Sequence, residues 1–188
     1  MNINLAINHG SKILKQHFIP NSQLDAEILM ATTINKNRNF ILINSKNFLN
    51  KNDLKNFYKL IHLRSLGKPV AYLTNKKFFW NSEFFITKDT LIPRPDTEIV
   101  VENVLSLTKH KTKLNILDIG IGSGCIILSI LKERKNFYGT RIDVSKKCLN
   151  ISKINAVNLK VDSRLKLYKS DVDKFNLGKY DLIVSNPP

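Results

Sequence analysis

The chain has 188 residues, 43% of them hydrophobic and 24% charged, with a net charge of +15. That is enough apolar material for one large domain, or for a small domain joined to a larger one, and it excludes a disordered chain. The opening MNINLAINHGSK lacks the apolar stretch of a signal peptide, and no run approaches the roughly 20 apolar residues of a membrane span, so a cytoplasmic protein without membrane association is expected.

A basic excess of this size suits an acidic or nucleic-acid partner. Lys, Asn and Ile are abundant throughout, however, and the cations form neither a tail nor a dense cluster. Compositional bias accounts for the charge, and stable nucleic-acid binding is not expected. Cys125 and Cys148 show no CxxC spacing and no histidine pattern beside them, so unpaired thiols in a reducing compartment are expected and no metal site.

In chain order, Ile3, Leu5, Ile7 and Ile13-Leu14 mark a first helix. Leu24, Ile28, Leu29 and Ala31 mark a second, behind Asn21 or Ser22 as cap. Asp53 is positioned to cap a further helix carrying Leu54, Phe57, Tyr58, Ile61 and Leu63. Residues 1–66 thus read as a small all-α domain, in which His9, His17 and His62 are scattered without a ligand-like spacing.

From Gly67 the texture changes to KPVAYLTNKKFFWNSEFFITKDTLIPRPDTE. Phe78-Phe79-Trp80 and Phe84-Phe85-Ile86 flank the turn formers Asn81-Ser82, which predicts a β-hairpin whose aromatic stripe is core. Ile92-Pro93-Arg94-Pro95 must be extended, and Asp96 or Thr97 can start a helix through Ile99, Val100, Val101 and Val104. Residues 67–95 therefore read as a connector.

Residues 96–188 alternate helix and strand. Strands are predicted at Leu114–Ile119, Phe137–Ile142, Leu165–Tyr168 and Tyr180–Ser185, with helices over Cys125–Leu131 and Ser145–Asn155 between the first three. This alternation implies an α/β domain with a parallel sheet and helices on both faces. The loop Asp118-Ile119-Gly120-Ile121-Gly122-Ser123-Gly124 joins the first strand to its helix, where glycines let the backbone turn tightly and approach a ligand. Its spacing is GxGxG with Cys125 following, which disfavours a nicotinamide dinucleotide. Asp143 ends the second strand 19 residues after Gly124, close to the spacing at which an acid meets a ribose, and Asp171 follows the third strand. With the strands ordered 3-2-1-4, these residues and Asn186 all fall at the carboxyl ends, in the crevice where open sheets bind ligands.

DIGIGSG, RIDVS, SDV and VSNPP, in this order, resemble class I S-adenosyl-L-methionine-dependent methyltransferases, and GKPVAYL…FF…LIPRPDTE over Gly67–Glu98 is similar to the linker of the HemK/PrmC family, the N5-glutamine methyltransferases of peptide chain release factors. The resemblance covers the chain from Gly67 onward with specific motifs and the first 66 residues in general character. It implies a Rossmann-like sheet behind a helical domain that binds the release factor, S-adenosyl-L-methionine as cofactor, and the glutamine of the GGQ loop of class I release factors as methyl acceptor. On the matching motif positions, Gly120, Ile121, Gly122, Ser123 and Gly124 become the cofactor loop, Asp143 the ribose acid, and Asp171-Val172 the pair beside the adenine. Asn186, Pro187 and Pro188 become the clamp on the substrate amide, with Asn186 also facing the cofactor. Arg94 and Glu98 shape the site, or brace the connector as an ion pair. Ile121 and Val172 depart from the family's more frequent threonine and larger side chain, and the tyrosine that follows the NPP motif in the family is absent. On that ground the chain is expected to be an inactive fragment of a longer enzyme. Two other readings share the motifs: an adenine-N6 methyltransferase acting on DNA or RNA, which the PRPDTE connector disfavours, and an inactive RNA- or ribosome-binding module.

Overall fold

The computed structural model describes residues 1–120 and 122–186. They fall into two compact units, 1–74 and 75–188. The stretch read from composition as a connector is divided between them, because Val70–Thr74 forms a short helix whose Val70 and Leu73 pack on the first unit's core.

The first unit is all helical: α1 (Ile3–Gln16), α2 (Ser22–Thr33), α3 (Arg38–Ile43), α4 (Lys51–Ser65) and α5 (Val70–Thr74). Asparagine supplies three of its caps, with the Asn2, Asn37 and Asn50 side chains accepting from the amides of Leu5, Phe40 and Asp53. The cap of α4 is therefore Asn50 and not Asp53. Asp53 sits three residues inside: its amide donates to Asn50 Oδ1 at 2.8 Å, and its carboxylate accepts from Asn50 Nδ2 at 2.7 Å.

Leu14, Leu29, Met30, Ile41, Phe57 and Ile61 form the core. In α2 the expected apolar face is shifted: Leu24 is exposed, whereas Asp25 and Glu27 are buried. Both acids are paired, Asp25 with Arg64 at 2.8 Å and Glu27 with Arg38 at 2.7 Å. These bonds tie α2 to α4 and α3, and make the burial tolerable.

Gly10 of α1 faces the side chains of α4. A Cβ there would lie 2.8 Å from Phe57 Cζ and 3.0 Å from Ile61 Cδ1, both on fully enclosed side chains. Alanine gains about 1 kcal/mol of helix propensity, but overpacking a filled core costs about 1–3 kcal/mol. Gly10→Ala is expected to lower stability by about 1 kcal/mol in urea denaturation, and a stabilised variant would show that the two helices separate freely.

The second unit opens on a hairpin, β1 (Lys76–Phe79) and β2 (Ser82–Phe85). The turn is Trp80-Asn81, one residue earlier than the sequence predicts, with φ of +43° and +55°. Positive φ at both central residues twists the ribbon in the sense its strands require. This register buries Phe79, Phe84 and Ile86 and leaves Phe78 on the outside, so only part of the aromatic stripe is core.

After the extended Ile92–Arg94 stretch, a 3₁₀ turn at Pro95–Thr97 leads into α6 (Glu98–Leu107). Then follow β3 (Asn115–Ile119), α7 (Cys125–Glu133), β4 (Tyr138–Asp143), α8 (Lys146–Asn158), β5 (Leu165–Lys169) and β6 (Leu182–Ser185). The sheet is parallel, in the order β5-β4-β3-β6, which is the expected 3-2-1-4 arrangement.

Two successive right-handed crossovers in one direction put α7 and α8 on the same face, and α7 packs against both α6 and α8. Among the described residues the helices thus gather on one face, not on both as the alternation suggested. The return from β5 to β6 has only a 3₁₀ turn, with Phe175 set between Tyr168 and Tyr180 at ring separations of 5.6 and 6.3 Å.

Candidate functional site

The loop after β3 turns on two glycines that adopt left-handed backbone, Gly120 at φ +139° and Gly124 at φ +81°. Gly124 caps α7 and also needs to be small: a Cβ on it would stand 3.0 Å from Ser152 Oγ and 3.2 Å from Leu128 Cδ1. At Gly120 a Cβ would meet the Asn186 carbonyl at 3.7 Å and Ser185 Oγ at 3.9 Å, so the ends of β3 and β6 converge there.

Two cavities meet at Ile119-Gly120. One, of about 200 Å³, is lined by Asp143, Val144, Ser170, Asp171 and Val172 at the ends of β4 and β5. The other, of about 40 Å³, is lined by Asp118, Gly122, Ser123, Gly124 and Arg141 from the sheet side, and by Leu91, Pro93, Arg94, Thr97 and Asn186 opposite. The structure thus gathers Gly120, Asp143, Asp171 and Val172 around one space, and Gly120, Gly122, Ser123, Gly124 and Asn186 around the other. Ile121, Pro187 and Pro188 lie outside the described residues.

The individual side chains are more constrained than the motifs suggest. Asp143 is almost fully enclosed, with Oδ1 accepting from Ser145 N at 2.8 Å and Oδ2 facing Arg141 at 3.4 Å. Asp171 accepts from Asp173 N at 3.1 Å as the cap of its own 3₁₀ turn. Asn186 Nδ2 donates to Thr97 Oγ1 at 3.1 Å, which leaves the carbonyl end of its amide as the acceptor. Arg94 lines the smaller cavity, whereas Glu98 accepts from Trp80 N at 3.0 Å and so braces the hairpin turn.

Four residues at the site are given no role there by the sequence, although Asp118, Arg141 and Thr97 lie within its motifs. Asp118 and Arg141 lie opposite each other in the β3–β4 register and form a buried ion pair. Burial pushes the Asp118 carboxyl above its usual range, and the guanidinium opposes that shift. Burial likewise, with Asp118 adding to it, pushes the Cys125 thiol up to about 11 and keeps it neutral. Thr97 orients Asn186.

The fourth is Asn155 on α8, fully enclosed. Its Oδ1 accepts from Phe85 N at 2.7 Å, and its Nδ2 donates to Phe85 O at 2.9 Å and to Ser123 O at 3.0 Å. One amide thereby fastens the glycine loop to the hairpin. An asparagine late in a polar-looking helix gives no hint of this. Asn155→Ala strands three backbone groups at a cost of about 1–3 kcal/mol each, so unfolding in urea is expected to show a loss of at least about 2 kcal/mol. Asn155→Asp keeps the acceptor, loses both donations and should do no better, and a loss within about 0.5 kcal/mol for either would refute the tie.

Comparison with known proteins places these features in context. The PrmC N-terminal domain matches residues 6–74, and the methyltransferase small domain matches residues 96–188. A release factor glutamine methyltransferase from Buchnera aphidicola subsp. Schizaphis graminum is 37% identical over 188 residues, which are 100% of this chain and 67% of that protein. One from Leptospira interrogans serovar Lai is 38% identical over 186 residues, 97% of this chain and 65% of the relative. A bifunctional methyltransferase from Rickettsia bellii is 34% identical over 209 residues, 97% of this chain and 38% of the relative. The chain spans about two thirds of the length of the first two and less than half of the third.

Proposed function

This chain belongs to the release factor glutamine methyltransferase family, and we propose that it binds S-adenosyl-L-methionine at the glycine loop to methylate the N5 side-chain amide of the glutamine in the GGQ loop of class I peptide chain release factors. The observation that carries this reading is the convergence at Gly120 of two cavities, one bounded by the Asp143 and Asp171 strand ends and the other by Asn186 and the connector. The residues present fit the cofactor: left-handed glycines open the crevice, and an acid lies at the end of each of the next two strands. Asp143 would hold the ribose, Asp171 and Val172 would flank the adenine, and Gly120 to Gly124 would cradle the methionine part joined to the far side of the ribose.

When bound, the cofactor supplies a sulfonium methyl group. The protein's task is orientation, because the lone pair of an amide nitrogen is delocalised into its carbonyl and the nitrogen is a poor nucleophile. The Asn186 carbonyl, set by its bond to Thr97, accepts one N–H of the substrate amide. In this reading the Pro187 carbonyl, outside the described residues, accepts the second. Holding reactants in line supplies several kcal/mol, and the same acceptors steady the positive charge that develops on nitrogen, at roughly 3 kcal/mol per well-placed group.

The helical unit would contact the body of the release factor, and the reaction would take place in the cytoplasm. Among the described residues no helix is long and apolar enough to cross a membrane.

The reading predicts that labelled methyl from S-adenosyl-L-methionine enters a class I release factor and disappears from one whose GGQ glutamine is replaced by alanine. Label entering DNA or RNA instead would favour the adenine-N6 alternative. Asp143→Ala is expected to weaken S-adenosylhomocysteine binding about tenfold in calorimetry, as the loss of one charged hydrogen-bonding group implies. Unchanged affinity would remove Asp143 from the ribose site.

A further inference from the structure

The proposed chemistry leaves Arg141 without a role, although it bonds to Asp118, Gly120, Gly122 and Asp143. It is only 3% exposed. It stands across the strand pair from Asp118 and two residues before Asp143, on the same face of β4. One terminal nitrogen binds Asp118; the other reaches Gly120 O at 2.6 Å, Gly122 O at 3.2 Å and Asp143 Oδ2 at 3.4 Å. We propose that Arg141 is a positioning residue for the cofactor loop, its guanidinium pinning the Gly120 and Gly122 carbonyls inward while it orients the carboxylate of Asp143. The proposal rests on the reading that this crevice takes an S-adenosyl ligand.

Geometry gives the pin its effect. Because the peptide is planar and trans, drawing the Gly122 carbonyl towards the guanidinium turns the N–H of Ser123 the opposite way. The loop then presents amide donors on the side away from β4. Energetics argue against a purely structural role. Arg141 Nε is enclosed without a hydrogen-bond partner, and a buried ion cluster can often be replaced by apolar residues at little cost or at a gain. A side chain that also holds two loop carbonyls and the ribose acid performs work an apolar residue cannot.

The test is S-adenosylhomocysteine binding by calorimetry on the whole chain, for the wild type, Arg141→Met and Arg141→Lys, with the ligand-free melting temperature alongside. Arg141→Met is expected to bind at least about 30-fold more weakly. Arg141→Lys, whose single ammonium cannot bind Asp118 and the loop carbonyls from two separate nitrogens at once, should bind about tenfold more weakly while melting within a few degrees of the wild type. Affinity of the wild type should vary less between pH 5.5 and 8 than that of Arg141→Met, because the guanidinium opposes protonation of Asp118. That of Arg141→Met should rise with pH over this range, because Asp118, held up by burial, loses the cation that opposes its protonation. The other titratable groups facing Asp118 and Asp143 are Cys125 on α7 and Cys148 on α8, with Asp89 beyond Cys148, and both thiols are held up and stay neutral.

If the methionine variant does not fold, the lysine variant decides by its affinity. Wild-type affinity in a folded variant, a weakened but pH-independent methionine variant, or failure of both variants to fold would each overturn the proposal. A wild type that does not bind S-adenosylhomocysteine would overturn the cofactor reading itself, and this inference with it.

Discussion

Two carboxylates and one guanidinium share the interior beneath the glycine loop, and the geometry of the crevice depends on their balance. Removing an ion from water costs several kcal/mol even after relaxation, so no member of the group is tolerable alone. Asp118 sits on the central strand, Arg141 beside it on β4, and Asp143 at the end of the same strand. The parallel register fixes all three on one face, and the guanidinium has donors left over for the loop. A slip of one residue between β3 and β4 would send Asp118 and Arg141 to opposite faces. The cluster therefore specifies the pairing of the two strands as well as the path of the chain leaving them.

From that fixed point the site extends outward through single polar ties. Asn155 carries the position of Ser123 to the hairpin, and the end of α7 holds the hairpin in turn through Lys132 on Ser82 at 2.8 Å and Glu133 on the Trp80 indole at 3.1 Å. Glu98, at the start of α6, accepts from the backbone of the same turn. The hairpin is thus not a free ribbon: its turn, its second strand and the glycine loop share partners on α6, α7 and α8. A motif read as a connector is in physical terms a buttress of the loop.

What the sequence revealed and what it hid follow from the same physics. The strands of the sheet were legible because apolar runs between turn formers admit few alternatives, and the glycine loop because left-handed backbone at Gly120 and Gly124 restricts the residue type. The strand order 3-2-1-4 is that of the open ligand-binding sheets which the helix-strand alternation suggests. Pairings distant along the chain were not legible. Arg141 lies 23 residues from Asp118, and Asn155 lies 70 from Phe85, so neither leaves a local pattern. Local errors had local causes. Asn50 and Asp53 are both good caps, and only the bond from the Asp53 amide to Asn50 Oδ1 decides between them. Trp80 looked like a strand residue because of its ring, yet its backbone has the φ of a turn. The aromatic stripe was over-read as core because alternation in a hairpin buries every second residue, so that Phe79 is inside and Phe78 outside.

The arrangement at Asn186 shows how a small polar contact can select a chemistry. An amide side chain offers two donors and one carbonyl, and a flexible one would present either end to a ligand. Thr97, at the end of the 3₁₀ turn that the two prolines of the connector prepare, occupies the donor end. With one of its two donors engaged, the Asn186 amide keeps its Oδ1 open towards the crevice, where it suits an N–H donor such as a primary amide or an exocyclic amine. The same threonine is enclosed by the fold while Asn186 is not, so the orientation is enforced from inside and the acceptor is left free outside. The short segment Pro93–Thr97 thus does more than join the hairpin to α6. It orients the Asn186 amide at the rim of the crevice, which couples the connector to the end of β6 although they lie 89 residues apart.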